Sequence, residues 1–267
     1  MQNSKKTHRN PPSSKYTHEY YLTNCHGYDE FNKSQGKLIP LRLIKSLSIA
    51  DIQPGMRILD IGCGRGEILL NCAKLNTKAF GIDYSIAAIR IARNLMIDSA
   101  PKNLQEKIHV QISDSCCLPY KSESMNRIFM LDFVEHIIPV ELKKAFDESW
   151  RVLKPGGKLI IHTMPSLWYY KYGYPLYRIL EKMRGNNIPK NPRDRQKYGY
   201  FHINEQDPVM LRKALEGSKF NTRVWLDTIQ TYGYEENPFL RSTMRVLTHI
   251  QPFKLAFCND IFAVGIK

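Results

Sequence analysis

The sequence predicts a doubly wound α/β fold, with a mostly parallel seven-stranded sheet and an aromatic and basic cap inserted late in the chain. A strand-like run, Arg57-Ile58-Leu59-Asp60-Ile61, leads straight into alternating Gly62, Gly64 and Gly66 and then into a helical pattern. Apolar β-like runs alternate with helical patterns from there to Thr163, which is the signature of a parallel sheet wound on both faces. The alternation then breaks at a tyrosine-rich, proline-interrupted stretch.

A chain of 267 residues with 43% hydrophobic content is ample for one core. The first twenty residues hold no apolar run fit for a signal peptide, and no later stretch has the uncharged length of a membrane span, so a cytoplasmic location is expected. Six cysteines occur without Cys-x-x-Cys or a zinc-type histidine spacing, so free thiols and no metal are expected. The formal charge of +14 fits anionic partners, nucleic acid among them, but ranks them only weakly.

Residues 1–15 are polar and basic and read as a disordered arm. Tyr16, Tyr20, Tyr21, Tyr28 and Phe31 follow, as a flap over a ligand or a packing cover, before a helical pattern from Leu38 to Leu47. At the Gly62–Gly66 turn, positive φ and the missing Cβ let backbone N–H groups approach a ligand at the strand's carboxyl end. The spacing differs from the dinucleotide fingerprint and lacks a Walker lysine, which argues against NAD and ATP. After the helix Ile68–Leu75, the strand 78–83 ends in Asp83, placed to accept both hydroxyls of a ribose, with Ser85 as N-cap of the next helix. The strand 108–112 ends near Asp114 and Ser115, suited to an adenine edge, or to a simple Asx turn. Strands 126–131 and 158–162 flank a helix over 140–153, with Lys154-Pro155-Gly156-Gly157 as a turn.

In this order the motifs Ile58 to Gly66, Gly81-Ile82-Asp83, Asp114-Ser115, Glu135-His136 and Arg151 to Gly157 strongly resemble class I S-adenosylmethionine-dependent methyltransferases of the type 11-like group. The resemblance implies a Rossmann-like domain over 16–164 and 204–267, with S-adenosyl-L-methionine as cofactor. It implies that Gly62, Gly64 and Gly66 cradle the methionine portion, Asp83 holds the ribose, Asp114 and Ser115 read the adenine, and Leu131 and Asp132 line the sulfonium end. Asp60, Cys63 and Tyr84 complete the expected cofactor contacts. Arg65 departs from the small residue common at its position.

Residues 165–203 read as the acceptor cap, with Tyr169 facing the pocket. Ten Lys or Arg residues against four acids between Trp168 and Lys213 suggest an acceptor carrying phosphate or carboxylate, gripped by Arg193 and Arg195, or else a solvated basic surface. Transfer to a reluctant hydroxyl needs a base. His202 is the first candidate, oriented by Glu205, with Asp132 and His136 as alternatives. The expected reaction is O-methylation of a small-molecule, glycan or secondary-metabolite acceptor, and the rivals are an RNA methyltransferase and a non-catalytic cofactor-binding scaffold. Asp207-Pro208 predicts a helix start, strands are expected over 221–226 and 259–266, and 227–257 reads as a long connection with a further helix.

Overall fold

The strands at the centre of the sheet are apolar on both faces. Ile58, Leu59 and Ile61 of β1 (Arg57–Ile61) and Ile128, Phe129 and Met130 of β4 (Met125–Leu131) are sealed from solvent, because helices cover both sides. The computed structural model describes residues 10–34, 36–195, 201–227, 242, 246 and 248–267. In it β1 is flanked by β2 (Lys78–Asp83), then β3 (Ile108–Ile112), and on the other side by β4, β5 (Leu153–Thr163), β7 (Asp260–Ile266) and β6 (Asn221–Asp227). The order is β3-β2-β1-β4-β5-β7-β6, with β7 antiparallel to both its neighbours and the remaining pairs parallel. This is the Rossmann-like fold that the alternation predicts.

One face is covered by α3 (Leu41–Ala50), α4 (Glu67–Lys74) and α5 (Ile86–Ser99), through Leu43, Leu69 and Ile89 among others. The other face is covered by α7 (Pro139–Val152) and α9 (Pro208–Glu216), through Phe146, Leu211 and Leu215. Ahead of these lie α1 (His18–Thr23) and α2 (Tyr28–Ser34), and α6 (Lys102–Gln105) precedes β3. The helices begin where the sequence supplies caps. Ser85 Oγ accepts from the Ala88 N–H at 3.3 Å, and Asp207 Oδ1 accepts from Val209 and Met210 at 2.8 and 2.9 Å with Pro208 at the first turn.

Three local expectations change. The Lys154–Gly157 turn is part of β5, because Leu153 pairs with Met125 before a register shift carries the ladder on to Arg127 and Lys158. The helix expected from Leu38 begins at Leu41, with Pro40 as its cap residue. Asn10 to Lys15, expected in the loose arm, are docked: the Asn10 side chain bonds the Ile138 N–H at 2.7 Å and Glu141, and Tyr84 donates to the Pro11 carbonyl at 3.0 Å. In the late segment, a π-helical turn at Tyr169–Gly173 runs into α8 (Tyr174–Met183), and α10 (Phe253–Phe257) packs against that turn. Of the long connection, Tyr232, Tyr234, Phe239, Leu240, Met244 and Leu247 lie outside the described residues.

Candidate active site

A cavity of about 470 Å³ opens at the carboxyl ends of β1, β2 and β4, beneath the aromatic segment that precedes α3. The glycine turn forms its floor. Gly62, Gly64 and Gly66 have φ of +75°, +49° and +86°, a region where side chains are strained. Their spatial duties differ. A Cβ on Gly62 would collide with Phe133 at 2.7 Å and one on Gly66 would press on Ala92 of α5 at 3.1 Å, whereas one on Gly64 would meet only the Tyr21 ring, at 3.7 Å. Gly64 therefore faces the cavity, while Gly66 serves the packing of α4 on α5 and does not border it.

Asp83, at the end of β2, accepts from the Gly64 N–H at 3.1 Å and the Ser85 N–H at 2.8 Å, which ties it to the turn. Burial raises its pKa to about 6 against those stabilising N–H bonds. Asp60 is buried more severely and is pushed up to about 8, with Glu67 and Asp83 adding to the effect. Cys63, Tyr84, Asp114, Ser115 and Leu131 also line the cavity. Asp114 accepts from the Cys116 N–H at 2.8 Å, an Asx turn that holds the loop after β3.

Asp132 follows β4 with a φ of +53°, an unusual conformation for a residue with a side chain. Two side chains brace it. Arg42 of α3 donates to Oδ2 at 2.6 Å, and His162 of β5 reaches Oδ1 through Nδ1 at 2.5 Å and Asp260 of β7 through Nε2 at 3.0 Å. Burial alone would lower the His162 pKa, but Asp132 and Asp260 outweigh it and raise it to about 9. Arg42 and His162 likewise overcome the burial of Asp132 and hold its carboxyl well below the usual range.

This network fixes a pH dependence. His162 binds its proton more tightly folded than unfolded, so its contribution is complete below about 6.5 and is lost as pH rises through about 9. The contribution at stake is on the order of 3 kcal/mol. The melting temperature is therefore expected to decline between pH 6.5 and 9, and to decline less steeply in His162→Gln. Equal slopes in the two proteins would show that His162 carries no such proton.

The aromatic segment is a wall of the cavity, and two buried arginines fasten it. Arg65 donates to the carbonyls of Tyr21, Cys25 and His26 at 2.8 to 3.0 Å and pairs with Glu67 at 2.9 Å. Arg42 donates to the His26 carbonyl at 2.9 Å. Phe201 is fully buried at the centre of the wall, with ring centroids 4.6 Å from Tyr16 and 5.1 Å from Tyr20.

The cap residues are placed differently from expectation. Glu205 does not orient His202, because the Arg193 guanidinium takes both its carboxylate oxygens, Nε at 2.5 Å and Nη2 on the other. The Arg193 fork is thereby spent on a carboxylate 4% exposed. Arg195 lies over the Tyr177 ring at 5.0 Å, and Tyr169 packs among Tyr170 and Tyr174. None of these borders the main cavity, and neither does His202. His136 does; its ring centroid is 4.8 Å from that of His202, and its Nδ1 lies 3.2 Å from the Phe201 carbonyl. A carbonyl only accepts, so Nδ1 carries the hydrogen and Nε2 the lone pair. Burial, with His202 adding to it, lowers the His136 pKa to about 3, so the ring is neutral.

A family model described as a methyltransferase domain matches residues 58–157, from β1 into β5. Over 116 residues the chain is 30% identical to "Probable tRNA methyltransferase 9B" of Mus musculus, a match covering 43% of this chain and 23% of that protein. It is 28% identical over 130 residues to demethylmenaquinone methyltransferase of Symbiobacterium thermophilum, covering 47% of this chain and 50% of that protein. Phosphoethanolamine N-methyltransferase 2 of Haemonchus contortus, solved with phosphomonomethylethanolamine and S-adenosylhomocysteine, superposes with a TM-score of 0.61 at 16% identity, over 94% of this chain and 60% of that one.

Residues 58–157 are a methyltransferase domain of the class I S-adenosylmethionine-dependent type. The chain spans half the length or less of these two curated relatives. In this methyltransferase domain, sequence reading overlooked Arg42, Arg65, His162 and Asp260. Only the departure at Arg65 carried a signal, since an arginine beside a glycine turn is out of place unless something buried pairs with it. The potential ligand atoms of Glu135, His136 and His202 lie within 4.8 Å of one another. Of these, the Glu135 carboxylate already accepts from Thr163 Oγ1 at 2.8 Å.

Proposed function

We propose that this domain binds S-adenosylmethionine in the cavity and catalyses methyl transfer to an oxygen of a small-molecule acceptor. The observation that carries the reading is the continuity of one cavity from the glycine turn and Asp83, past Leu131, to Asp132 and His136. The donor set fits the cofactor. Gly64 leaves room beside the turn, the Asp83 carboxylate is presented for ribose hydroxyls, and Asp114 with Ser115 is positioned for the adenine. When bound, the cofactor supplies an electrophilic methyl group on a sulfonium.

The chain's own residues supply the rest. The wall of Tyr16, Tyr20 and Tyr21 excludes water and positions the acceptor. Asp132 is a poor base, because Arg42 and His162 stabilise its ionised form and so weaken its hold on a proton; its charge stays fixed at the reacting end. His136 is the better-placed proton acceptor, lining the cavity and neutral with Nε2 free of the Phe201 bond, although the burial that keeps it neutral also makes it a weak base. This moves the base role from His202 to the residue that lines the cavity.

The test begins with calorimetric titration of S-adenosylmethionine. Asp83→Ala should weaken binding by about ten- to a hundredfold, the worth of a charge-assisted bond to a hydroxyl, with an unchanged circular dichroism spectrum. Unaltered affinity would remove Asp83 from the site. A transfer screen then offers hydroxylated metabolites, glycans, phosphorylated small molecules and RNA. The charge of +14 favours the RNA arm, so turnover there alone would replace the small-molecule reading. Binding without turnover on any class would favour a scaffold.

A further inference from the structure

Helix α8 buries Tyr174 and Glu181 on one side and presents an apolar face to solvent on the other. On the inner side, Tyr174 and Glu181 are 2% and 7% exposed. Tyr174 donates to the Pro189 carbonyl at 2.8 Å, and Glu181 accepts from Arg184 at 2.9 Å and Asn186 at 2.7 Å. On the outer side, Leu176, Ile179, Leu180 and Met183 recur at i, i+3, i+4 and i+7 and are 48%, 58%, 48% and 80% exposed. Four large aliphatic side chains along one stripe exceed the scattered exposure normal for a surface.

The stripe is rimmed by cations. Between Trp168 and Lys190 there are five Lys or Arg residues and a single acid, Glu181, which is turned inward and paired. Lys171 and Lys182 are exposed beside the stripe, and Lys171 lies 5.1 Å over the ring of half-exposed Tyr172. The turn before the helix is tightly packed. A Cβ on Gly173 would meet the Ala256 carbonyl oxygen at 2.0 Å, so the turn that leads into α8 is packed directly on α10.

We propose that α8 docks this protein onto the surface of a membrane containing anionic lipid, lying in the interface with Leu176, Ile179, Leu180 and Met183 inserted and Lys171 and Lys182 at the headgroups. Charge complementarity selects this occupant. An apolar stripe flanked by lysines is the pattern of an interfacial helix. A two-fold contact of the stripe with a second copy would instead bring like cations together, with no exposed acid in the segment to offset them. No described helix is long and apolar enough to cross a membrane, and surface docking requires none. The inference stands apart from the cofactor reading, since it uses no residue of the cavity.

The experiment is co-sedimentation of the full chain with phosphatidylcholine vesicles with and without phosphatidylglycerol, at low and high salt. Wild type should bind the anionic vesicles and be released by salt, and Ile179→Asp/Leu180→Asp should lower partitioning by at least about tenfold. Lys171→Gln/Lys182→Gln should weaken binding to anionic vesicles more than to neutral ones. Matched melting temperatures and S-adenosylmethionine affinities establish that the variants fold. Equal partitioning of wild type and the Asp variant, or no vesicle binding by wild type, would overturn the proposal. A wild-type dimer dissolved by the Asp substitutions, without vesicle binding, would assign the stripe to self-association instead.

Discussion

Replacing His136 with alanine is expected to lower turnover by about 10²-fold, the low end for a general base because burial makes this ring a weak one, while S-adenosylmethionine affinity stays within about twofold, the pattern of a lost proton acceptor rather than a lost binding contact. The reasoning begins with burial. The His136 ring is desolvated and adjoins the His202 ring, so it stays neutral, and its Nδ1 hydrogen is committed to the Phe201 carbonyl. Its Nε2 keeps the lone pair, on a ring that lines the cavity. Because its pKa is lowered to about 3, the His136-dependent acid limb of kcat/KM should lie below the ordinary histidine range. His202→Ala removes the neighbouring ring and should have a much smaller effect on turnover. A larger loss in His202→Ala than in His136→Ala would return the base role to His202.

Arg65→Met is expected to destabilise the protein by about 3–5 kcal/mol, because it strands the buried Glu67 carboxylate without its cation. Glu67 is 6% exposed, and the same guanidinium satisfies the carbonyls of Tyr21, Cys25 and His26. For a chain of this size the loss corresponds to a fall in melting temperature on the order of 10 °C. The aromatic wall should also become a site of early proteolysis and cofactor affinity should fall, since the wall closes the cavity over the glycine turn. Arg65→Met/Glu67→Gln should recover part of the stability, because the second substitution removes the stranded charge. A single variant within about 0.5 kcal/mol of wild type would show that the wall is held by its aromatic contacts alone.

Much of the architecture was legible because it rests on local chemistry. Strand runs of Ile, Leu and Phe buried on both faces, Ser85 and Asp207 as caps, and glycines where φ must be positive all leave their mark within a few residues of where they act. The gathering of the residues expected at the cofactor was legible for the same reason: they stand at the ends of strands, and Gly62, Gly64, Asp83 and Asp114 line one cavity. The catalytic half was less so. His202 and Glu205 are separated from Glu135 and His136 by a long insertion, and nothing in their spacing states which histidine faces inward.

By itself the sequence determined the doubly wound fold, the methyltransferase resemblance and the placement of a glycine turn beside an acidic strand end. Tertiary structure alone decided which charges find each other. Arg193 closes on Glu205 instead of an acceptor, Arg65 and Arg42 clasp the segment that precedes α3, and His162 is held between Asp132 and Asp260, 30 and 98 residues away in the chain. Periodicity reports which face of a strand or helix is apolar, because that pattern repeats every two or 3.6 residues. The pairing of buried ions has no period. It is settled by where the folded elements bring a carboxylate and a cation together out of water, where an unpaired charge is too costly to leave alone.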